Sequence, residues 1–325
     1  MYKIGVVGAG HLGKIHLNCI KNISSYHLVG FYDSNLENAK EIASKYDIKA
    51  FESLEELIEN VDIVDVVTPT IYHFDVAASA IKANKHVFIE KPVTSTVEQA
   101  IILKKLAEEH DVKIQVGHVE RFNPALKSIK DFELAPMFIE AHRLSAFNPR
   151  GTDVSVVLDL MIHDIDLVVS MVKSPLVEVT ACGINIVSDT SDIANVRLTF
   201  ENGCVANLTA SRISLSQMRK MRIFQHNAYI SLDFLDKKSQ IISLTDNVEK
   251  DLYSIPIQLP KGEKFINIHQ PEIPSINSIQ EELQQFCYSI ENQQNPIVTI
   301  DDAIKTLNIA YDIMKDIDNR IAKVK

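Results

Sequence analysis

The stretch "YKIGVVGAGHLG", residues 2–13, decides the fold. It opens with an apolar run that reads as a strand. Gly8, Gly10 and Gly13 follow in GxGxxG spacing, and the next residues, "HLGKIHLNCIKN", carry a helical pattern. In a strand–turn–helix unit each glycine has a mechanical use. Gly8 makes the tight turn, Gly10 lets the backbone approach a pyrophosphate, and Gly13 lets helix and strand pack closely. The helix N-terminus then turns unpaired N–H groups and its positive dipole end toward phosphate. The expected dinucleotide contacts are Gly8, Gly10, His11, Leu12, Gly13 and Asp33. Asp33 ends the next strand, "YHLVGFYD", about 20 residues on, where an acid binds ribose hydroxyls. A carboxylate there repels a 2′-phosphate, and the following "SNLEN" offers no Lys or Arg to hold one. The cofactor expected is NAD rather than NADP.

Working outward, apolar strands keep alternating with helical segments: "NLENAKEIASKYD", "SLEELIEN", "VDIVDVVTP", "YHFDVAASAIKAN", "KHVFIEKP", "TVEQAIILKKLAEEHD" and "KIQVGH". Continuous apolar strands between amphipathic helices predict a doubly wound parallel sheet covered on both faces. The pattern ends near Gly117. "RFNPALKSIKDF" reads as a helix, and beyond it the chain changes style. "PMFIEAHRLSAF", "VEVTACGINIV", "IANVRLTF", "CVANLTAS", "KMRIFQHNAYISLDF" and "SQIISLT" are strand-like, with Glu201-Asn202-Gly203 as a hairpin turn between two of them. The expectation is α/β throughout: a Rossmann domain at 1–120, then an α/β domain at 121–325 with a large, mostly antiparallel open sheet. Two C-terminal helical segments, "SIQEELQQFCYSIEN" and "TIDDAIKTLNIAYDIMKDIDNRI", fit against either domain.

The chain has 325 residues, 46% of them hydrophobic, which is enough for two cores. Its net charge of −10 and lack of a basic run argue against capture of nucleic acid or an anionic membrane. No apolar run reaches the roughly 20 residues of a spanning helix. Cys19, Cys182, Cys204 and Cys287 are scattered without metal-ligand spacing. With a strand beginning at once and no signal-like segment, the expected location is cytoplasmic.

One segment breaks the core pattern. "VVLDLMIHDIDLVVSM", residues 156–171, is apolar except for Asp159, His163, Asp164, Asp166 and Ser170. At about 100° per residue, Asp159, His163, Asp166 and Ser170 form one helical stripe, while Asp164 points elsewhere. Asp and His are side chains of proton transfer. A metal held by this stripe is rejected, because ligands must converge at about 2 Å and one helical stripe is poorly shaped for that.

With these residues in place, "EKP" at Glu90, Lys91 and Pro92 completes a pattern. The order GxGxxG, acid, Thr68-Pro69, EKP and Asp159-x-x-x-His163 resembles the Gfo/Idh/MocA family of nicotinamide-dependent oxidoreductases, across essentially the whole chain. The resemblance implies that His163 faces the nicotinamide as general acid/base, that Lys91 stabilises the reacting oxygen, and that Asp159 binds a substrate hydroxyl or orients the base. It implies cofactor contacts from Thr68, Pro69, His73, Glu90 and Lys91, and association as a homodimer or homotetramer through the C-terminal sheet. Asp166 is expected as a partner of His163 or a structural pair. "VGHVERFNPAL" and "FNPRGTDVSVVLDLMIHDIDL" are similar to segments of family members that oxidise the 3-hydroxyl of UDP-N-acetylglucosamine. Arg121, Asn123 and Arg150 are then expected to contact a diphosphate or sugar, since a guanidinium suits phosphate by paired hydrogen bonds. Three other readings stand beside this one. They are a free sugar or inositol dehydrogenase, a non-catalytic NAD-binding regulator, and a tetrapyrrole reductase, which the polar Asp159 and His163 disfavour.

Overall fold

The structure, a computed structural model, describes residues 1–148, 154–247, 253–260 and 262–324. Backbone contacts divide the chain into two compact units. One is 1–122 with 276–308, and the other is 123–275 with 309–325.

The first unit is built on five parallel strands: β1 (Tyr2–Val7), β2 (Tyr26–Tyr32), β3 (Ile63–Val66), β4 (His86–Glu90) and β5 (Ile114–Gly117). Their order is β2-β1-β3-β4-β5. Every residue of β3 and β5 is buried, as a sheet covered on both faces requires. The covering helices are α1 (His11–Lys21), α2 (Leu36–Tyr46), α3 (Leu54–Glu59), α4 (His73–Lys82) and α5 (Val97–Glu109). Asn35, Ser53 and Thr96 cap α2, α3 and α5 by accepting N–H groups of the first turn. Helix α8 (Ser278–Glu291) returns to this unit from the far end of the chain. Its Leu283, Phe286, Cys287 and Ile290 fall at helical spacing and bury against Ile4, Leu17 and Phe88. Tyr26 donates its hydroxyl to the Leu283 carbonyl at 2.7 Å.

The expected helix over "RFNPALKSIKDF" is not continuous. A short 3-10 turn, Val119–Phe122, stops at Asn123, and a single turn α6 (Pro124–Lys127) starts afresh. Proline disfavours helical backbone in the residue before it but is well placed at the first position of a new helix.

The second unit is a nine-stranded sheet ordered β13-β14-β12-β11-β10-β6-β9-β8-β7. The strands are β6 (Phe138–Leu144), β7 (Leu176–Ile184), β8 (Ile193–Phe200), β9 (Val205–Ser211), β10 (Met218–Gln225), β11 (Ala228–Asp233), β12 (Lys238–Thr245), β13 (Tyr253–Leu259) and β14 (Gly262–His269). Among the described residues, only the β6–β9 pair of this sheet is parallel. The turn at Glu201-Asn202-Gly203 joins β8 to β9 as expected, with Gly203 at φ 83°. The hairpin β13–β14 was not anticipated. Pro256 sits within β13, which is tolerated because β13 is an edge strand.

The face of the sheet that includes Ile139, Ala141, Val196, Leu208 and Met221 is buried under α7 (Ile162–Val172). Helix α9 (Ile300–Val324) belongs to the first unit up to residue 308, and from 309 on it packs Ile309, Ala310, Ile313 and Ile317 into this second core. Arg143 on β6 anchors α7. Its Nε donates to Asp164 Oδ2 at 2.9 Å and its Nη2 to Oδ1 at 2.8 Å, with both side chains buried. This accounts for the aspartate that falls off the polar stripe. Among the described residues, no helix is long and apolar enough to cross a membrane.

Removing one partner of a buried pair strands the other charge. Asp164→Ala should therefore lower stability by about 3–5 kcal/mol in urea unfolding, and Arg143→Met with Asp164→Leu should regain most of that. An Asp164→Ala midpoint equal to the parent's would contradict this reading.

Candidate active site

The three glycines are not equivalent in space. Gly8 sits at φ 96°, and a Cβ there would lie 2.7 Å from the Val67 carbonyl oxygen. A Cβ on Gly13 would lie 2.0 Å from the Gly8 carbonyl oxygen. Both are consumed by packing. A Cβ on Gly10 would meet nothing within 4 Å, so this residue presents bare backbone to open space.

That space is a cavity of about 480 Å³ at the C-terminal ends of β1, β2 and β3. Gly8, Gly10, Asp33, Thr68 and Pro69 line it, together with Tyr32, Ser34 and Tyr72. Tyr72 was overlooked, although "TPTIY" places a large, exposed ring directly after the Thr-Pro turn. The Asp33 carboxylate is held from several sides. It accepts Ala9 N–H at 2.8 Å and Asn38 Nδ2 at 3.1 Å on Oδ2, and Asn35 N–H at 2.9 Å on Oδ1. His11 is exposed at the first position of α1, and Leu12 packs its side chain toward the core. A bare Gly10 backbone at a helix N-terminus, beside an oriented carboxylate, fits the pyrophosphate and ribose of a dinucleotide.

Around the strand end of β4 the structure shows what Glu90 and His73 bond to within the protein. Glu90 is buried, and its carboxylate faces His16 and its own neighbour's N–H rather than the cavity. His73 is 1% exposed, with Nδ1 2.9 Å from the Pro92 carbonyl oxygen and Nε2 2.8 Å from that of Thr68. It ties the Thr-Pro turn to the residue after Lys91. Burial holds its pKa below that of a free imidazole, against the pull of those carbonyls. Lys91 itself is half-buried at the end of β4.

In the second unit the regular stripe is corrected. Residues Val157–Met161 form a π-helical turn, and α7 begins only at Ile162. The extra residue in that turn shifts Asp159 relative to the 3.6-residue pattern; such turns are frequent at functional sites. Asp159 and His163 remain half-buried, whereas Asp166 is 1% exposed and belongs to the interior. Asn123 bonds within the second unit. Its Oδ1 caps α6 by accepting Ala125 N–H at 3.0 Å, and its Nδ2 donates to the Phe234 carbonyl at 3.0 Å. Arg121 is half-buried in the 3-10 turn, and Arg150 lies outside the described residues. His16 was missed altogether. It lies on the buried face of α1, where a lone histidine in an apolar pattern gives no signal.

A Rossmann sheet with this cradle and acid, followed in the same chain by an open sheet bearing an Asp/His helix, defines an oxidoreductase that uses a nicotinamide dinucleotide. The chain belongs to the Gfo/Idh/MocA family. Residues 2–118 match the family described as "Oxidoreductase family, NAD-binding Rossmann fold", and 137–231 match the GFO/IDH/MocA C-terminal domain. The chain is 41% identical over 240 residues to UDP-N-acetylglucosamine 3-dehydrogenase of Acidithiobacillus ferrooxidans, covering 74% of this chain and 76% of that one. A solved structure of UDP-N-acetylglucosamine 3-dehydrogenase from the same organism superimposes with a TM-score of 0.88 over 98% of both chains, at 32% identity. Myo-inositol 2-dehydrogenase of Thermotoga maritima is 25% identical over 337 residues, covering 98% and 97%.

The contrast between the glycines is testable. Gly10→Ala should leave the melting temperature near the parent's yet weaken NAD binding about tenfold or more, because the added methyl occupies only the open space. Gly13→Ala should instead unfold the protein at markedly lower temperature. Equal binding by the parent and Gly10→Ala in calorimetry would contradict the cradle.

Proposed function

We propose that the chain is an NAD-dependent dehydrogenase that oxidises the 3-hydroxyl of a UDP-linked N-acetylhexosamine. The observation that carries this reading is the likeness to UDP-N-acetylglucosamine 3-dehydrogenase, at 41% identity in sequence and a TM-score of 0.88 over nearly the whole chain. When bound, NAD⁺ supplies the hydride acceptor. His163 takes the hydroxyl proton on a ring nitrogen, work for which an imidazole near neutral pH is suited. The Lys91 ammonium stabilises the charge that develops on the same oxygen, an electrostatic contribution that grows as water is excluded. Asp159 receives a substrate hydroxyl or orients His163. Arg121 and Arg150 supply cationic groups for a diphosphate that free sugars lack. The outer face of the nine-stranded sheet joins copies of the chain into a homodimer or homotetramer, and the enzyme works in the cytoplasm.

NAD is preferred over NADP because Asp33, held on both oxygens by backbone and Asn38 donors, repels a 2′-phosphate. Calorimetry should show tighter binding of NADH than NADPH. Replacing Asp33 with Ser and Asn35 with Arg should narrow or reverse the preference. Tighter NADPH binding by the parent would overturn this assignment.

Equilibrium disfavours the ketone near neutral pH, so an absorbance assay for NADH reads little. Coupling to a glutamate-dependent 3-aminotransferase draws the ketone off as an amino sugar, which mass spectrometry detects. UDP-N-acetylglucosamine or its uronic acid should yield the amino sugar, and His163→Ala should lower the yield rate by about 10² or more, the usual scale for a lost proton-transfer group. No product from these, with clear turnover of myo-inositol or a free hexose, would replace this reading with a polyol dehydrogenase.

A further inference from the structure

Four ionisable side chains meet inside the first unit, behind the strand ends that form the cavity. His16 comes from α1, Asp65 from β3, Glu90 from β4 and Glu282 from α8. Three are fully buried and Glu90 is 7% exposed. His16 Nδ1 is 2.9 Å from Asp65 Oδ2, and its Nε2 makes an ion-pair contact with Glu90 Oε1 at 3.2 Å, off the line of a good hydrogen bond. The other Glu90 oxygen, Oε2, accepts the backbone N–H of Lys91 at 3.1 Å. The imidazole is itself fixed, with Phe88 edge-on at 5.8 Å between ring centroids. Gly117 on β5 leaves the space that the Glu90 carboxylate fills, since a Cβ there would lie 2.8 Å from Oε1.

Charge decides how such a group can exist. Three ionised carboxylates against one imidazole would bury a large uncompensated charge. Burial opposes charge on His16, but the Asp65 and Glu90 carboxylates outweigh it and raise its pKa well above an ordinary imidazole's. Burial, reinforced by the Glu90 charge, pushes Glu282 well above the usual carboxylate range. Burial also raises the Asp65 pKa, against the pull of His16, so the four groups share their protons as one unit. Glu90 then has a partner on each oxygen, and one of them is the Lys91 peptide. The residue after Lys91 is also pinned, through the Pro92 carbonyl that faces His73. Lys91 is bracketed on both sides by buried imidazoles.

We propose that His16 is a positioning residue for Lys91, acting through Glu90, with Asp65 and Glu282 completing the buried unit that fixes the Lys91 backbone at the end of β4. This rests on the function proposed above for Lys91 and adds the means by which its place is held.

The test is a double-mutant cycle combined with hydrogen exchange at the Lys91 amide, all on the full chain with NADH or NAD⁺ bound. His16→Leu should lower turnover of UDP-N-acetylglucosamine in the coupled assay about tenfold or more, with KM for NAD⁺ within about twofold, and His16→Gln should recover part of the loss. In a Lys91→Ala background the same His16→Leu change should cost under about twofold, because groups acting as a unit are not additive. The Lys91 amide should exchange about tenfold or more faster in His16→Leu while core amides of β1 stay protected. Should His16→Leu fail to fold, His16→Gln carries the comparison. An equal cost in both backgrounds, or unchanged Lys91 exchange, overturns the proposal. So does stoichiometric divalent metal in the purified protein, because ligand atoms of His16, Glu90 and Glu282 all lie within 4.8 Å of one another, where a cation could bind instead. Normal turnover by Lys91→Ala sinks the functional reading of Lys91 alone, and the exchange result then decides the positioning.

Discussion

A carbonyl oxygen at Gly8 and the missing side chain at Gly13 set the spacing on which the first unit depends. With only 2.0 Å available where a Cβ would go, α1 can lie this close to the turn after β1 only because Gly13 has none. That approach brings the amino end of α1 to the cavity and leaves Gly10 bare toward it. One helical turn later it carries His16 into the sheet interior, opposite Asp65 and Glu90. The nucleotide cradle and the buried charged cluster are thus two consequences of one close contact. The cluster in turn reaches the peptide of Lys91. The same helix thus meets the cavity at its amino end and the buried cluster at His16.

The fold class was legible because its signals are local. Apolar strands buried on both faces look continuous, Ser53, Thr96 and Asn35 stand at helix starts, and the second sheet alternates as a one-sided sheet should. The features that escaped depend on distant partners or on backbone detail. The stripe Leu283, Phe286, Cys287 and Ile290 declares a buried face on α8 but not that it returns to β1 and α1. The hairpin of β13 and β14 was not read at all, and nothing local says that the strand holding Pro256 sits at a sheet edge, where proline is tolerated. The π-helical turn at Val157–Met161 could not be read from a 3.6-residue period, so the polar stripe through Asp159 was drawn too regularly.

The cavity residues divide in the same way. Gly8, Gly10 and Asp33 were readable because each has a mechanical reason tied to a turn or strand end, while Thr68 and Pro69, which also line the cavity, were named by resemblance. Glu90, His73 and Asn123 were given contacts with cofactor or substrate by resemblance, and the structure adds the bonds that each makes within the protein. Membership of a family fixes which side chains recur in a motif, but only the bonding of each side chain shows whether it faces the ligand or its support.

The proposed reaction removes a hydride from carbon 3 of an N-acetylglucosamine nucleotide. Deuterium placed at that carbon follows the bond itself, and an aminotransferase that draws off the ketone lets the labelled cofactor accumulate. After incubation of UDP-N-acetylglucosamine labelled at carbon 3 with NAD⁺ and the enzyme, mass spectrometry of the recovered nucleotide should show NADH one mass unit heavy. Reduced cofactor without label, or no label transfer while myo-inositol deuterated at its carbinol carbon does transfer its own, would contradict it.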